Sequence, residues 1–441
     1  MTKSSKKILM ISYQFPPDTG SVRRVLDFVK YLPEYNWNPI ILTHRSKHKC
    51  AEIDYELLKN GIKVYRRGQE YTVTYLAESM YKKASILMKS SSSLDVVKLR
   101  IYRYSKLIYQ KVRDFFVWPD KFVWWVPVAI FEASKIIRSE NIKTIYIVTP
   151  PHSATIVGYC LKLLFGVNLV LDFRDPWAND IDIVMPTRVH SWLHRKTESA
   201  TLRAADTVIA ATSFHTDYFK NMLPENHRSK LRTITNGVDL SKFLPSHTKE
   251  IERFTIVHAG NFDGSRDPRC FLEAVANVSK NSPDVFKKDS VLLFGNINPM
   301  VARYIEDLNL ESIVCQMGLK SHDEILEVMS EAAVLLLVVH NDLVTSKYCI
   351  PAKLFEYMAT GRPILAISPN GAAAQIIVDY SLGTVVGHSP VNKIEDGILR
   401  YHNRHSSGDL VSKIPERKML QKFDRKELTK QLATILNNLE Q

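Results

Sequence analysis

Cysteine is scarce in this chain, and the few cysteines are widely spaced. There are five in 441 residues, with no close pair of the kind that holds a metal ion: Cys50, Cys160, Cys270, Cys315 and Cys349. This distribution favours a reducing compartment. It argues against both a disulfide framework and a zinc site.

Long apolar runs are also absent. The first apolar stretch, ILMI in MTKSSKKILMIS at residues 1–12, has only four residues. It is too short for the core of a signal peptide and predicts a first strand instead. No run approaches the roughly 18 apolar residues that a membrane-spanning helix requires. The sequence therefore predicts a cytoplasmic protein, either soluble or peripheral at the inner face of the cell membrane.

Signatures of nucleic-acid binding are missing, although the formal net charge is +13. A basic surface can serve nucleic acid, anionic lipid or a phosphorylated substrate, or can simply keep a protein soluble. Because helix-turn-helix, zinc-finger and RNP patterns are absent, nucleic acid is not an expected partner. Anionic lipid, or a lipid-linked diphosphate acceptor, fits the charge at least as well.

A basic and aromatic insertion at about 70–127 departs from the pattern of the rest of the chain. It is dense in Lys, Arg and Tyr and ends in FFVWPDKFVWWVP, which contains Trp118, Trp124 and Trp125. Basic side chains beside tryptophan suit contact with an anionic membrane surface. An ordinary helical insertion with its tryptophans in the core explains the same composition, so both interpretations stay open.

Elsewhere the chain alternates short β-branched runs with longer helical patterns. Its length, with 45% hydrophobic and 24% charged residues, predicts a globular chain of two domains. The strand-like runs are continuously apolar, as expected of parallel strands that helices cover on both faces. We predict an α/β protein with two Rossmann-like domains whose sheets face each other across a cleft.

The predicted domain boundary lies in ITNGVDLSKFLP, residues Ile234–Pro245, where an Asn-Gly turn precedes a polar stretch without apolar periodicity. This gives a first domain at 1–245 and a second at 250–424. A final helix at 425–441 carries one apolar stripe.

Two candidate sites follow strands of the first domain. In QFPPDTGSVRRV, Gly20 and Ser21 open a helix whose N–H groups can face a phosphate, although a plain strand-to-helix turn looks the same. One glycine is a poor match to a dinucleotide-binding loop. In TPPHSA, two prolines fix the loop that carries His152. A lone histidine is often structural, but this one is placed to enter a crevice and bind a sugar hydroxyl.

A third candidate is DFRDPWAND, where Arg174 lies between Asp172 and Asp175. These three charges can compensate one another and be purely structural. Alternatively, Asp175 contacts the sugar of the donor or of the acceptor.

The fourth candidate, HAGNFDGSRDP at His258–Pro268, opens the second domain. Gly260 and Gly264 make its loop flexible, and Arg266 presents a planar fork that suits phosphate oxygens. The alternative for this arginine is a surface ion pair with a neighbouring aspartate.

The fifth candidate is PAKLFEYMATGRPILAI, residues 351–367. Lys353 lies three residues before Glu356, so the two share one face of a helix. There the lysine can neutralise a diphosphate while the glutamate accepts hydrogen bonds from ribose hydroxyls.

In this order the five segments resemble glycosyltransferase family 4 (group 1), of the GT-B fold, over nearly the whole chain. NGVD followed by Phe243, TPPHSA, DFRDPW and KLFEYMATGRP carry the likeness. The resemblance implies that Gly20 belongs to the N-terminal glycine loop and that His152 faces the sugar. It also implies that Glu356 is the second acid of the family's Glu-seven residues-Glu motif. The last helix is then expected to cross back to the first domain.

Three positions depart from the family pattern, one at the motif acid and two in the loop after the predicted strand that ends at residue 259. Tyr348 occupies the place of the first motif acid, which contacts the transferred sugar. Asn261 replaces the usual arginine after the strand-end glycine, and Arg266 replaces the usual lysine. One diphosphate cation is therefore missing, and Lys353 or Lys347 is expected to supply it.

The resemblance implies a retaining, metal-independent hexosyl- or N-acetylhexosaminyltransferase, without a cofactor beyond its nucleotide-diphosphate sugar. The acceptor is then a glycan or a lipid-linked molecule in bacterial capsule, lipopolysaccharide O-antigen or exopolysaccharide biosynthesis. A nucleotide-sugar epimerase or a non-catalytic GT-B protein is the alternative. The expected catalytic residues are His152, Asp175, Arg266, Lys353 and Glu356. The expected donor-binding residues are Gly20, Ser21, Gly260, Asn261, Arg266, Lys353, Leu354 and Glu356.

Overall fold

The computed structural model contains two sheets in which every strand pairing is parallel. The residues that it describes are 5–16, 22–46, 60–69, 115, 117–179, 183, 185–243, 251, 253–262, 266–288, 290–410 and 417–441. The strands within these ranges are β1 (Lys6–Ile11), β2 (Trp37–Arg45), β3 (Lys63–Gln69), β4 (Thr144–Thr149), β5 (Asn168–Phe173), β6 (Thr207–Ala210), β7 (Leu231–Thr233), β8 (Ile256–Ala259), β9 (Val291–Phe294), β10 (Val314–Gly318), β11 (Val334–Val338), β12 (Ile364–Ile367) and β13 (Gly383–Val386).

Helices connect these strands. In chain order they are α1 (Arg23–Tyr31), α2 (Val126–Glu140), α3 (Ser153–Phe165), α4 (Arg188–Ala204), α5 (Ser213–Met222), α6 (Arg269–Asn281), α7 (Pro299–Asp307), α8 (His322–Glu331), α9 (Leu343–Tyr348), α10 (Lys353–Thr360), α11 (Ala372–Asp379), α12 (Asn392–Ser406), α13 (Arg417–Gln421) and α14 (Arg425–Leu439).

The order of strands creates one crevice in each sheet. The first sheet runs β3-β2-β1-β4-β5-β6-β7, and the second runs β10-β9-β8-β11-β12-β13. The order reverses between β1 and β4 and again between β8 and β11. Connections leave to opposite faces at such a point and open a crevice at the carboxyl ends of the strands, where α/β sheets bind ligands. The predicted α/β class with two Rossmann-like sheets is confirmed.

The strands are continuously apolar because helices cover both faces of each sheet. Every residue of β4 and of β11 is buried. At Gly158 the backbone of helix α3 lies directly against side chains of the sheet. A Cβ there would lie 2.8 Å from Ile147 Cγ1 and 2.7 Å from Leu169 Cδ1, so a side chain would push the helix away.

The chain divides into two compact units, each with its own core. The first consists of Met1–Ala211, His215–Ile234 and Thr429–Gln441, and the second of Thr212–Phe214 and Thr235–Leu428. The division thus falls at Thr235, within the predicted boundary segment Ile234–Pro245 but at its beginning, whereas the prediction assigned residues up to 245 to the first domain. The reason is that the Asn-Gly turn packs within the second unit. Val238 N–H donates to Phe423 O at 2.9 Å, and a Cβ at Gly237 would overlap that oxygen.

The end of α14 belongs to the first unit. Its Asn437 Oδ1 accepts hydrogen bonds from Trp37 Nε1 at 3.2 Å and from Lys6 Nζ at 3.4 Å. Just beyond the helix, Glu440 Oε1 accepts from Thr144 Oγ1 at 2.9 Å. These bonds attach the helix to the amino ends of β1, β2 and β4.

Most of the predicted basic insertion lies outside the described residues, namely 70–114 and 116. At its end, Trp125 is buried and donates from Nε1 to Arg67 O at 3.0 Å, which makes it a core residue. Trp124 is 58% exposed. The core interpretation therefore holds for Trp125, and membrane contact stays a prediction.

A buried ion pair joins α1 to the first sheet. Arg24 donates from Nε to Asp172 Oδ2 at 2.7 Å and from Nη2 to Asp172 Oδ1 at 3.1 Å. The same guanidinium donates to Ile234 O at 2.9 Å, and the hydroxyl of Tyr146 donates to Asp172. The sequence grouping of Asp172 with Arg174 is therefore wrong, because Arg24 compensates this buried carboxylate.

We expect Asp172→Asn to lower the free energy of unfolding of the first unit by about 3–5 kcal/mol, because Arg24 would stay buried without its counter-charge. Urea titrations followed by tryptophan fluorescence measure this, since the six tryptophans, Trp37, Trp118, Trp124, Trp125, Trp177 and Trp192, all lie in the first unit.

The matched control is Asp217→Asn, which removes an exposed partner of Lys220. Exposed pairs of this kind contribute under about 1 kcal/mol. Equal losses in the two variants would contradict a structural role for the Arg24 pair.

Candidate active site

The turn that follows β8 brings two backbone segments unusually close. Gly260 has φ +137°, a conformation that favours glycine, and its N–H donates to Phe294 O at 3.0 Å. Gly295, with φ +105°, follows β9, and a Cβ on it would lie 2.7 Å from Gly260 O. The carboxyl ends of β8 and β9 therefore present bare main chain beside the crevice of the second sheet.

Lys353, the first residue of α10, reaches across this main chain. Its Nζ lies 3.3 Å from His258 Nε2 in β8. A Cβ on Gly260 would overlap the ammonium. Glycine at this position thus makes room for the lysine side chain at the strand ends.

His258 is a fully buried imidazole in the middle of this arrangement. Its Nδ1 lies 2.9 Å from Leu336 O in β11, and its ring stacks on Phe262 with centroids 4.0 Å apart. Burial first, and then the charge of Lys353, hold the pKa of His258 well below its ordinary value, and Arg266 acts in the same direction. The structure therefore brings Gly260, Lys353 and Arg266 together around a neutral histidine.

Helix α10 is tied to the sheet by Tyr357. Its hydroxyl accepts from Ala259 N–H at 3.0 Å and donates to Leu336 O at 3.3 Å, in β8 and β11 respectively. One residue earlier, the partly exposed carboxylate of Glu356 lies 3.5 Å from Nε2 of His322, the first residue of α8. Lys353 and Glu356 thus extend from one anchored helix, as their spacing predicts.

Two other predicted donor contacts have structural roles. Asn261 Oδ1 accepts from Asn296 N–H at 2.9 Å, so this side chain closes the turn after β9. Leu354 is fully buried in the apolar core of the second unit. Its side chain is thus a packing group, and its N–H donates to Pro351 O at 2.9 Å.

Tyr348, which replaces the first motif acid, ends α9 and is buried. The neighbouring Lys347 Nζ lies 5.7 Å from the centre of its ring. A close contact fixes this helix next to α11, since a Cβ on Gly371 would overlap Ser346 O. The position therefore holds an ordered aromatic ring.

In the first unit, His152 follows β4 and precedes α3 directly. Its ring is 1% exposed and stacks on Trp177, with centroids 5.4 Å apart and planes 4° apart. The sequence predicted a histidine pointing into a crevice. The structure instead buries it at the carboxyl ends of β4 and β5.

Behind His152 lies a buried polar cluster that the sequence analysis missed. Glu198 on α4 accepts from Trp177 N–H at 3.0 Å, from Ala178 N–H at 3.1 Å and from the Tyr218 hydroxyl at 3.2 Å. Burial raises the pKa of Glu198 to about 7. Its helical neighbour His194, whose Nδ1 accepts from Trp177 Nε1, has its pKa lowered by burial to about 4. His194 and Glu198 are four residues apart, which places them on the same face of a helix, and this spacing is the sequence signal that could have revealed the cluster.

Asp175 lies half-buried in the turn between β5 and the Trp177 segment that Glu198 holds. Arg174 N–H donates to Thr149 O at 3.3 Å, which fixes this turn beside β4. His152 and Asp175 thus belong to adjacent strand ends. Gly20 and Ser21 lie outside the described residues.

Within the part of the chain that the structure describes, no helix is long and apolar enough to cross a bilayer. In the same residues, no three or more His, Cys, Asp or Glu side chains are grouped so that they could hold a metal ion.

Residues 19–242 match the family model described as Glycosyltransferase Family 4. The chain belongs to glycosyltransferase family 4. The matched region covers strands β2 to β7 of the first sheet, together with His152, Asp175 and the Glu198 cluster. A search of curated proteins gives no match.

Solved structures similar to this glycosyltransferase share its architecture. Sucrose-phosphate synthase from Thermosynechococcus elongatus is 14% identical with a TM-score of 0.67, and 99% of each chain is covered. HepE from Anabaena in complex with UDP is 14% identical with a TM-score of 0.64, over 98% of this chain and 100% of that one. WaaG, a glycosyltransferase involved in lipopolysaccharide biosynthesis, is 13% identical with a TM-score of 0.60, over 97% and 99%. The fold is GT-B.

The raised pKa of Glu198 predicts a measurable pH dependence. Between pH 4.5 and about 7 the carboxyl is ionised in the unfolded chain but protonated in the fold, so stability falls as pH rises through this range. Glu198→Gln removes this titration. We expect the stability of the wild type, relative to the variant, to drop by about 3 kcal/mol across the range.

Urea titrations at several pH values, followed by tryptophan fluorescence, measure this difference. The buried histidines are common to both proteins and cancel to first order. Glu225→Gln, at an exposed position, is the control and should parallel the wild type. A pH-independent difference between Glu198→Gln and wild type would contradict the prediction.

Proposed function

We propose that this glycosyltransferase is a retaining, metal-independent enzyme that moves a sugar from a nucleotide-diphosphate sugar to a glycan or lipid-linked acceptor. The observation that supports the proposal best is the grouping of Lys353, Arg266 and Gly260 around His258 in the crevice between β8 and β11. Two cations beside bare main chain suit a diphosphate. Glu356, on the same helix as Lys353, suits the ribose hydroxyls.

In this proposal the site acts by electrostatic stabilisation of the leaving group. Breaking the sugar–phosphate bond places negative charge on the diphosphate, and Lys353 and Arg266 lie ready to meet it without reorganisation. Arg266 offers a planar fork and Lys353 a point charge. Side-chain cations then supply the stabilisation that a metal ion supplies in other transferases.

In this proposal the half-buried Asp175 contacts the sugar, and the buried His152 packs beside it without reaching a ligand. His152 and Asp175 lie on adjacent strand ends, and the Glu198 cluster holds the turn that carries Asp175. A role in surface polysaccharide biosynthesis, such as capsule, O-antigen or exopolysaccharide, is supported by the likeness in fold to WaaG, a glycosyltransferase involved in lipopolysaccharide biosynthesis. UDP is the first nucleotide to test, because HepE was solved with it.

We expect Glu356→Ala and Arg266→Ala each to reduce sugar transfer by about 10²-fold or more, the effect of losing one preorganised polar contact. The donor is found first by a thermal-shift screen of nucleotide sugars, because a ligand of the native state raises Tm by mass action. Transfer of labelled sugar from that donor then measures the variants.

Arg269→Ala is the matched control. This exposed arginine lies in the segment that follows Arg266 and pairs with Asp267, so its loss should leave transfer close to wild type. Near wild-type transfer by Glu356→Ala or Arg266→Ala would remove that residue from the site. Donor binding without transfer or release of product would instead favour a non-catalytic protein, which the buried Tyr348 at the motif position makes a specific alternative.

A further inference from the structure

His258 has a defined tautomer. The carbonyl oxygen of Leu336 can only accept a hydrogen bond, so His258 Nδ1, 2.9 Å away, must carry the proton. In the neutral ring, Nε2 is then an acceptor. Stacking on Phe262, with ring planes 15° apart, prevents the imidazole from turning away.

Nε2 faces a group that can only donate. Lys353 Nζ is 3.3 Å from it, and an ammonium has three N–H donors and no acceptor. A lysine ends a flexible four-carbon stem, so a fixed acceptor at the strand end restricts where its charge lies. Gly260 leaves the space in which the ammonium sits.

The chemistry of this acceptor matters for ligand binding. A carboxylate at position 258 would also hold the lysine, but it would cancel the charge that a phosphate needs. A neutral imidazole can hold the ammonium through one hydrogen bond without cancelling its positive charge. Because the lysine side chain is already ordered before a ligand binds, less conformational entropy is lost on binding.

We propose that His258 is a positioning residue for Lys353: it holds the lysine ammonium beside Gly260, ready for the diphosphate of the donor. This inference rests on the proposed donor-binding function of the same site. His258 itself is fully buried and acts through the lysine.

The test is a double-mutant cycle that uses UDP, GDP and ADP as probes in isothermal titration calorimetry. His258→Phe keeps an aromatic ring against Phe262 and removes the acceptor, and Lys353→Met removes the ammonium. We expect His258→Phe to weaken binding of the preferred diphosphate about ten-fold, the scale of one hydrogen bond. In the Lys353→Met background the same change should have almost no effect. His258→Gln, which keeps an acceptor near Nε2, should recover most of the affinity.

Two outcomes separate this inference from the proposed function. If the wild type binds none of the three diphosphates, the donor site and the role of His258 both fail. If the wild type binds and Lys353→Met weakens binding, but His258→Phe has no effect or an undiminished effect without the lysine, the donor site stands and the role of His258 is rejected.

A spectroscopic measurement covers the case in which His258→Phe does not fold. In wild-type protein labelled with ¹⁵N-histidine, NMR should show His258 protonated at Nδ1, with Nε2 shifted as a hydrogen-bond acceptor. Lys353→Met should move the Nε2 resonance towards that of a nitrogen without a hydrogen bond. An Nε2 resonance that is unchanged in Lys353→Met, or an Nε2-protonated ring in the wild type, would overturn the proposal.

Discussion

All the candidate side chains depend on one constraint, the parallel direction of the strands in each sheet. Parallel strands end at the same edge, so turns that are far apart in sequence meet there. In the second unit this brings residue 260, after β8, to residue 353, which begins the helix between β11 and β12. In the first unit the same constraint places His152 and Asp175 at neighbouring strand ends. A single antiparallel strand at either position would send one of these turns to the opposite edge.

The charged groups near the strand ends have different surroundings in the two units. In the first unit, Arg24 and Asp172 cancel each other in a bidentate pair, and Glu198 has its charge disfavoured by burial. In the second unit, Lys353 and Arg266 both lower the pKa of the buried His258, and the lysine ammonium lies 3.3 Å from its ring. A buried pair of opposite charges suits a structural support, whereas two cations near the same strand ends suit an anionic ligand.

The sequence predicted the strands and the shared helix face of Lys353 and Glu356 because both depend on local periodicity. It also located the glycine turn at 260, since glycine before a polar loop is a local signal. It did not reveal Glu198 or His258. Each is a titratable residue inside an otherwise ordinary helix or strand, and only tertiary contacts show what surrounds it. The predicted partner of Asp172 was wrong for the same reason. Arg174 is close to Asp172 in sequence, whereas the observed partner, Arg24, belongs to α1 and is distant in sequence.

The replacement of the family's usual arginine by Asn261 can be understood from the charges of the proposed donor site considered together. Asn261 has exchanged a cation for an amide that accepts from Asn296 N–H and orders the turn beside Gly295. The donor site that we propose contains Arg266 and Lys353, and His258 Nε2 lies 3.3 Å from the lysine ammonium. A diphosphate that links a nucleoside to a sugar carries one negative charge on each phosphate, so two cations balance it. In the donor site that we propose, Lys353 compensates for the arginine that the family usually has, and its ammonium is positioned by His258 and by the space at Gly260.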